Sequence, residues 1–136
     1  MRHFQIGKYE VLGVLGRGPL GKIYEAVDTA DGSRYALRAF SKPKGVDDER
    51  WRAAVERFSR ELEPALGLSH PNIGAVYEYW EQNGVYMIRS EYFRAQNIRQ
   101  MVDAQVRIDV ERTVRVARAV CSALQYAHER GLVHSD

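Results

Sequence analysis

Three glycines within six residues constrain the fold of this chain more than any other feature of its sequence. Gly16, Gly18 and Gly21 form the pattern G-x-G-x-x-G, and the flanking stretches, 9–16 and 22–28, have the character of strands. Polar and apolar side chains alternate along the second stretch, which is typical of a strand with one buried face. The sequence therefore predicts a glycine-rich hairpin whose backbone can approach another group closely.

Glycine-rich loops of this kind bind phosphates in three different folds, and two of them require a helix directly after the loop. The dinucleotide-binding fold begins a helix at the last glycine. The stretch from Gly16 to Lys22 also matches G-x-x-x-x-G-K, but a phosphate-binding loop of that type continues with Ser or Thr, and Ile23 follows here. A strand-like stretch argues against both. A hairpin that covers nucleotide phosphates and a plain hairpin without a ligand both stay open on these residues alone.

The rest of the chain shows the periodicities of further strands and helices. A turn containing Asp31-Gly32 separates the second strand from a third. In chain order we predict strands at 9–16, 22–28 and 34–40, a long helix, strands at about 73–79 and 85–90, and helices near 97–103 and 109–130. This order indicates an α+β fold, in which a five-stranded antiparallel sheet with one helix precedes the first helices of a helical part.

Local signals predict where several of these elements begin and end. Asp47 or Asp48 can cap the long helix, and Asp109 the last one. Pro64 lacks a backbone N–H, so the long helix is expected to kink or end near it. Asn83-Gly84 is expected to form the turn between the last two strands.

Composition limits the classes of partner. The 136 residues suit one domain, and the net charge of +2 is spread along the chain, which gives no reason to expect nucleic acid or a membrane surface as partner. Cys121 is the only cysteine, so no internal disulfide can form, and its helical spacing among apolar residues predicts a buried thiol. No apolar run is long enough for a membrane span and no signal peptide is evident, so we expect a cytoplasmic protein.

Six motifs in this order resemble those of the eukaryotic-type Ser/Thr protein kinases, especially their bacterial members. Tyr35-Ala36-Leu37-Arg38 resembles the family's V-A-I-K, with Arg38 in the place of the lysine. Glu61 lies in a stretch that resembles the helix carrying the glutamate partner of that lysine. The other similar stretches are the glycine run at 16–21, the helix exit at 68–73, the fifth strand and hinge at 86–93, and the approach to the catalytic H-R-D at 123–136.

The resemblance implies a kinase N-lobe and hinge at 1–93 and the start of a helical C-lobe at 94–136, with ATP as phosphoryl donor and Mg²⁺ as its metal. It implies an ion pair between Arg38 and Glu61, and it makes Asp136 the base for the substrate hydroxyl. The nucleotide-binding residues that it implies are Gly16, Gly18 and Gly21 near the phosphates, Ile23 and Ala36 around the adenine, Arg38 at the phosphates, Ser90 as gatekeeper, and the backbones of Glu91 and Phe93 at the adenine edge. No metal ligand is assigned within the chain.

Several positions depart from the family pattern. Arg38 offers a planar guanidinium where the family has a compact ammonium, which weakens the expected grip on phosphates. Pro19 removes a backbone N–H from the glycine run, and Leu20 replaces an aromatic residue at its tip. Ser135 replaces the arginine of H-R-D, so the family's charge link to a phosphorylated activation loop is absent.

The sequence ends at Asp136, before the asparagine and the D-F-G aspartate that hold magnesium in the family. We therefore expect these 136 residues by themselves not to catalyse phosphoryl transfer. Three interpretations stay open: the opening segment of an active kinase, a pseudokinase-like module that binds a nucleotide or a protein partner, and an inactive decayed product. The apolar stripe of the helix at 109–130 is expected to be exposed and available to a partner.

Overall fold

The computed structural model describes residues 4–18 and 21–134. These residues form two compact units. The first unit extends to Leu68 and resumes at Ala75–Tyr92, whereas the second combines Ser69–Gly74 with the residues from Phe93 onward. The short segment Ser69–Gly74 therefore belongs with residues much later in the chain and not with its immediate neighbours.

The first unit is an antiparallel sheet with one long helix. Its strands are β1 Phe4–Ile6, β2 Tyr9–Gly18, β3 Gly21–Asp28, β4 Arg34–Ser41, β5 Val76–Gln82 and β6 Val85–Glu91. Their spatial order is β1-β2-β3-β4-β6-β5. Together with the helices of the second unit, this sheet confirms the predicted α+β class.

The predicted number of five strands is wrong, since the described residues form six. The additional strand is β1, in which Phe4 pairs with Val11 and Ile6 with Tyr9. Gly7, with φ at +55°, turns the chain between β1 and β2. A strand of three residues is too short to show alternation in the sequence, so only its pairing with β2 reveals it.

One face of the sheet carries the helix α1, Asp48–Leu62. Phe40 of β4 packs against Phe58 with 5.1 Å between ring centroids and against Trp51 with 6.3 Å. Phe40 also stacks on Tyr86 of β6 at 5.5 Å. These aromatic contacts hold α1 on the face to which Phe40 points.

The opposite face contains the most deeply buried core. Ala26 and Leu37 are fully buried there beneath Tyr9, and Tyr35 and Trp80 pack around them. Tyr9 meets Tyr35 edge to face at 6.2 Å. The aromatic rings thus cover the small side chains at the centre of β3 and β4.

Helix α1 begins and ends where its sequence predicts. Asp47 caps it, with Oδ1 accepting the backbone N–H of Arg50 at 2.8 Å. After Leu62 the backbone tightens into a 3-10 turn, Glu63–Gly67, which includes Pro64. Pro64 ends the α-helix, so Glu61 and Leu62 lie in its final turn.

The second unit contains the helices α2, Ile98–Asp103, and α3, Val110–His128. Asn97 and Gln100 form a reciprocal capping box at the start of α2. Asp109 caps α3 as predicted, accepting a backbone N–H of the first turn at 2.7 Å. No helix in the described part of the chain is long and apolar enough to cross a membrane.

Hydrogen bonds join the segment Ser69–Gly74 to α3. The backbone N–H of Ser69 donates to the hydroxyl of Tyr126 at 3.2 Å. His70 Nε2 and Ser122 Oγ share a second hydrogen bond of 3.1 Å. These two contacts explain why the segment belongs to the second unit.

The apolar stripe of α3 is exposed, as expected from its sequence. Val110, Val114 and Ala117 are all exposed. The prediction of a buried Cys121 is wrong, because its thiol is exposed as well. Helical periodicity predicts which face of α3 is apolar, but it does not predict whether a given side chain on that face is buried.

Candidate functional site

The β2–β3 hairpin carries the glycine pattern. Gly16 pairs with Ile23 and Gly18 with Gly21, and the register shifts between Val14 and Gly16. Because β3 is a strand that begins at Gly21, the two folds that require a helix at this point are excluded. The predicted glycine hairpin is confirmed, while Pro19 and Leu20 lie outside the described residues.

Gly21 admits no other residue in this conformation. Its φ is +87°, and a Cβ atom added there would lie 2.2 Å from the carbonyl oxygen of Ala39. At Gly16 and Gly18, by contrast, an added Cβ would meet nothing within 4 Å. The hairpin is therefore tightly packed at Gly21, where β3 begins, and open along its β2 side.

Four of the predicted site residues share one face of the sheet. Ile23 of β3 pairs directly with Arg38 of β4, and Ala36 pairs directly with Ser90 of β6. Directly paired residues, and residues two apart on one strand, project to the same side of a sheet. Phe40, two residues beyond Arg38, places this face on the side of the sheet that α1 covers.

The centre of this face is formed by small side chains. Ala36 and Ser90 are half-buried, and the Ser90 hydroxyl donates to the carbonyl oxygen of Ala36 at 3.4 Å. At the end of β6 the backbone N–H of Glu91 donates to the Ala75 carbonyl oxygen at 2.8 Å, and the Glu91 carboxylate accepts the Ala75 N–H at 3.1 Å. Glu91 is thus fixed at both its backbone and its side chain.

Phe93 belongs to the second unit, and its side chain is exposed. A Cβ atom added at Gly74 would lie 2.8 Å from Cε2 of the Phe93 ring. The absence of a side chain at Gly74 therefore makes room for this ring.

The implied ion pair between Arg38 and Glu61 is not formed among the described residues. Arg57 Nε donates instead to Glu61 Oε1 at 2.8 Å, four residues away on the same helix. The Glu61 side chain is 62% exposed, whereas Arg38 is half-buried on the sheet. The sequence prediction did not include Arg57 as a partner of Glu61. The spacing Arg-x-x-x-Glu is a known signal for such a pair along a helix.

Two of the titratable groups with shifted pKa values lie on the face of the sheet opposite to Ile23 and Arg38. Burial raises the pKa of Tyr9, whose hydroxyl donates to Glu78 Oε1 at 3.0 Å. A hydrogen bond from Lys8 lowers the pKa of Asp28, a carboxylate that is almost completely buried. These groups hold the strands together behind the site.

The residues of the α1-side face fit a nucleotide. Ile23 and Ala36 offer apolar contact for a base, and Arg38 offers positive charge for phosphates on the same face. The space beside Gly16 and Gly18 is open, since nothing lies within 4 Å of a Cβ position at either residue. The described residues contain no group of three or more His, Cys, Asp or Glu that could hold a metal ion. Asp136 lies outside the described residues.

Comparisons with known proteins agree with this arrangement. A family model described as "Protein kinase domain" matches residues 9–136. The serine/threonine-protein kinase PknD of Mycobacterium tuberculosis is 33% identical over 132 residues, which cover 97% of this chain and 19% of that protein. The serine/threonine-protein kinase PrkC of Bacillus subtilis is 28% identical, with 96% and 19% covered. NUAK family SNF1-like kinase 1 of Homo sapiens is 29% identical, with 95% and 19% covered.

The chain thus spans about a fifth of the length of these relatives. The family match extends over the glycine hairpin, the strand of Arg38, α1 and α3. The order of elements and the matched sequence lead to the same conclusion: the chain belongs to the protein kinase domain family.

Proposed function

We propose that this chain binds ATP on the sheet face that carries Ile23, Ala36 and Arg38, as the nucleotide-binding part of a Ser/Thr protein kinase. The observation that carries the proposal is the register that sets apolar, small and cationic side chains side by side beneath a glycine hairpin. In this proposal residues 1–93 act as the N-lobe and hinge, and residues 94–136 begin the C-lobe.

The adenine contacts follow from the apolar part of the face. Ile23 and Ala36 pack against the base, and Ser90 bounds the inner end of the pocket. The backbones of Glu91 and Phe93 hydrogen-bond the adenine edge. The fixed position of Glu91 against Ala75 supports this role, because a rigid backbone loses little entropy when it binds.

The phosphate contacts follow from the hairpin and Arg38. Backbone N–H groups at Gly16, Gly18 and Gly21 approach the phosphate oxygens, and Arg38 supplies the positive charge. Glu61 orients Arg38 when the two side chains pair. Mg²⁺, when bound with ATP, neutralises charge on the phosphates.

Asp136 is proposed as the base that accepts the proton of the substrate hydroxyl. Phosphoryl transfer also needs the asparagine and D-F-G aspartate of the family, and neither is among these 136 residues. We therefore infer that the 136-residue polypeptide alone binds nucleotide without transferring phosphate. We also propose that the substrate of the complete protein is another protein and that its location is the cytoplasm.

A second candidate is a binding module without catalytic activity, similar to a pseudokinase. The pairing of Glu61 with Arg57 favours it, because Arg38 then lacks the partner that orients it. The two candidates differ in whether the complete protein transfers phosphate from ATP to a protein or only binds the nucleotide.

Nucleotide binding can be tested by thermal unfolding of the chain with millimolar ATP or ADP, with and without Mg²⁺. A ligand at a hundred times its dissociation constant stabilises the folded state by about 2.7 kcal/mol, so the unfolding midpoint should rise. Ala36→Phe should abolish this rise by filling the adenine position. Ala39→Phe, on the opposite face of the same strand, should retain it. A wild-type chain that is folded but responds to neither nucleotide would contradict the proposal.

A further inference from the structure

The partner of Glu61 in this structure is on its own helix. Arg57 Nε lies 2.8 Å from Glu61 Oε1, and the two side chains are 77% and 62% exposed. The hydrogen bond from Glu61 raises the pKa of the Arg57 guanidinium. The carboxylate that the proposed function assigns to Arg38 is therefore already engaged by another cation.

The position of Glu61 around α1 can be read from the contact of Phe58 with the sheet. Phe58 marks the sheet-facing side of the helix through its contact with Phe40. With about 100° of rotation per residue, Glu61 lies about 60° from Phe58 around the helix, and Arg57 lies about 100° away on the same side. Glu61 is thus at the border of the sheet-facing stripe, and Arg57 is farther from the sheet.

Arg38 is on the side of the sheet that α1 covers. It precedes Phe40 by two residues on β4, so both side chains project from the same face. Arg38 has no ion pair among the described residues at 4 Å or less, as the pairs of Glu61 and of the neighbouring carboxylates go to other cations. The Glu61 carboxylate therefore has Arg38 on its sheet side and Arg57 on the side away from the sheet.

The pair of Arg57 with Glu61 is weak enough to exchange. Exposed ion pairs four residues apart on a helix change an equilibrium by about twofold, because water competes for both charges. Glu61 can leave Arg57 at small cost, and removal of Arg57 shifts the balance toward Arg38 by a comparable factor.

We propose that Arg57 is a positioning residue that competes with Arg38 for Glu61 and so controls how Arg38 meets the phosphates of the nucleotide. The inference rests on the proposed function for its consequence at the nucleotide, and on the Arg57–Glu61 geometry for the competition itself. Arg57 touches neither nucleotide nor substrate in this scheme and acts only through Glu61.

The test uses the full chain in four forms: wild type, Arg57→Gln, Glu61→Gln and the double variant. The first readout is the NMR signal of the Arg38 Nε–H group, assigned by its loss in Arg38→Lys. The second is the dissociation constant of ATP. Arg52→Gln, on the same helix and with the same loss of charge, is the matched control, and Arg57→Lys tests whether a second cation restores the competition.

Arg57→Gln should shift the Arg38 signal and tighten ATP binding by about twofold, and Arg57→Lys should reverse part of both effects. In the Glu61→Gln background the same substitution should change neither readout, since the carboxylate is gone. Arg52→Gln should leave the Arg38 signal in place. An Arg38 signal that is equal in wild type and Arg57→Gln overturns the inference, whatever the nucleotide does.

The two readouts also separate this inference from the proposed function. If no form binds ATP but Arg57→Gln still shifts the Arg38 signal through Glu61, the nucleotide proposal fails and the competition stands. If ATP binds equally to wild type and Arg57→Gln while the signal shifts, the control of the nucleotide by Arg57 is refuted.

Discussion

Asp28 Oδ2 lies 2.8 Å from Lys8 Nζ, and only 4% of the Asp28 side chain is exposed. Its other oxygen accepts the backbone N–H of Ala30 at 3.0 Å. The ion pair joins the residue before β2 to the last residue of β3, so it closes the base of the hairpin that carries the glycines. A buried carboxylate with these partners is stable only while it is ionised.

The first prediction concerns acid stability. The hydrogen bond from Lys8 holds the pKa of Asp28 below its ordinary value of 3.8. A lowered pKa in the folded state contributes stability that is complete above 3.8 and is lost as the pH falls through the folded value. The temperature of the unfolding midpoint should therefore fall when the pH is lowered below about 4. Asp28→Asn should be less stable at pH 7 and show a smaller acid dependence, whereas Asp31→Asn in the neighbouring turn should keep the wild-type profile.

The same ion pair predicts an alkaline limit. Asp28 raises the pKa of Lys8 above 10.5, so the stability from Lys8 is present below that pH and is lost as the pH rises through the folded value. Lys8→Met should remove this alkaline decline, measured as the unfolding midpoint as the pH rises from about 10 to about 12. Lys44→Met, on an exposed loop, serves as the control. If Lys8→Met shows the same alkaline decline as the wild type, other titratable groups cause that decline.

Gly21→Ala is predicted to destabilise the first unit strongly. A positive φ costs a residue with a side chain about 1–3 kcal/mol, and the new Cβ would also overlap the Ala39 carbonyl oxygen, which is backbone and cannot swing aside. Chemical denaturation should show a loss of at least about 2 kcal/mol. Gly13→Ala, where nothing lies within 4 Å of the added atom, should lose far less. Equal losses at both positions would contradict the packing argument.

Leu37→Ala tests the core on the face opposite to α1. Leu37 is fully buried, and truncation of such a leucine leaves a cavity that costs about 3 kcal/mol. Leu15→Ala, at a side chain that is 42% exposed, should cost less than half as much. Denaturation curves compared at equal slope would measure the difference. A small effect at Leu37 would mean that the aromatic rings around it collapse into the space.

Arg38→Lys is predicted to tighten ATP binding. The ammonium group of lysine is compact and fits among phosphate oxygens more closely than the wider, planar guanidinium group. A gain of about 1 kcal/mol in binding free energy lowers the dissociation constant about fivefold. Calorimetric titration with ATP measures it. Arg52→Lys, on the exposed surface of α1, should have no effect. Weaker binding in Arg38→Lys would mean that the guanidinium fork itself holds the phosphates.

The sequence predicted those features that depend on local chemistry. Asp47 and Asp109 cap their helices, and Pro64 ends α1. Asn83 and Gly84 have positive φ angles of 53° and 76°, as a tight turn between two strands requires. Each of these outcomes follows from a few adjacent residues, so no knowledge of the rest of the fold was needed.

Features that depend on distant partners were missed or shifted. The strand predicted to begin at about 73 begins at Val76, because the preceding segment is bound to α3. Tyr9 and Glu78 are 69 residues apart and meet only through the sheet. At the site, the register places Ile23, Arg38 and Ser90 on one face of the sheet, which the motifs by themselves do not state. The contact of Glu61 with Arg57 depends on side-chain geometry that a motif does not contain.

The assignment of Ser69–Gly74 to the second unit means that the chain passes between the units at three points, after residues 68, 74 and 92. A chimaera made by joining this chain to a relative at one crossover after Tyr92 would combine His70 of one parent with the residue at Ser122 of the other. The hydrogen bonds of Ser69 and His70 to α3 would then have to form between two sequences that never evolved together. Exchange of either unit intact therefore requires the segment Ser69–Gly74 to travel with α3.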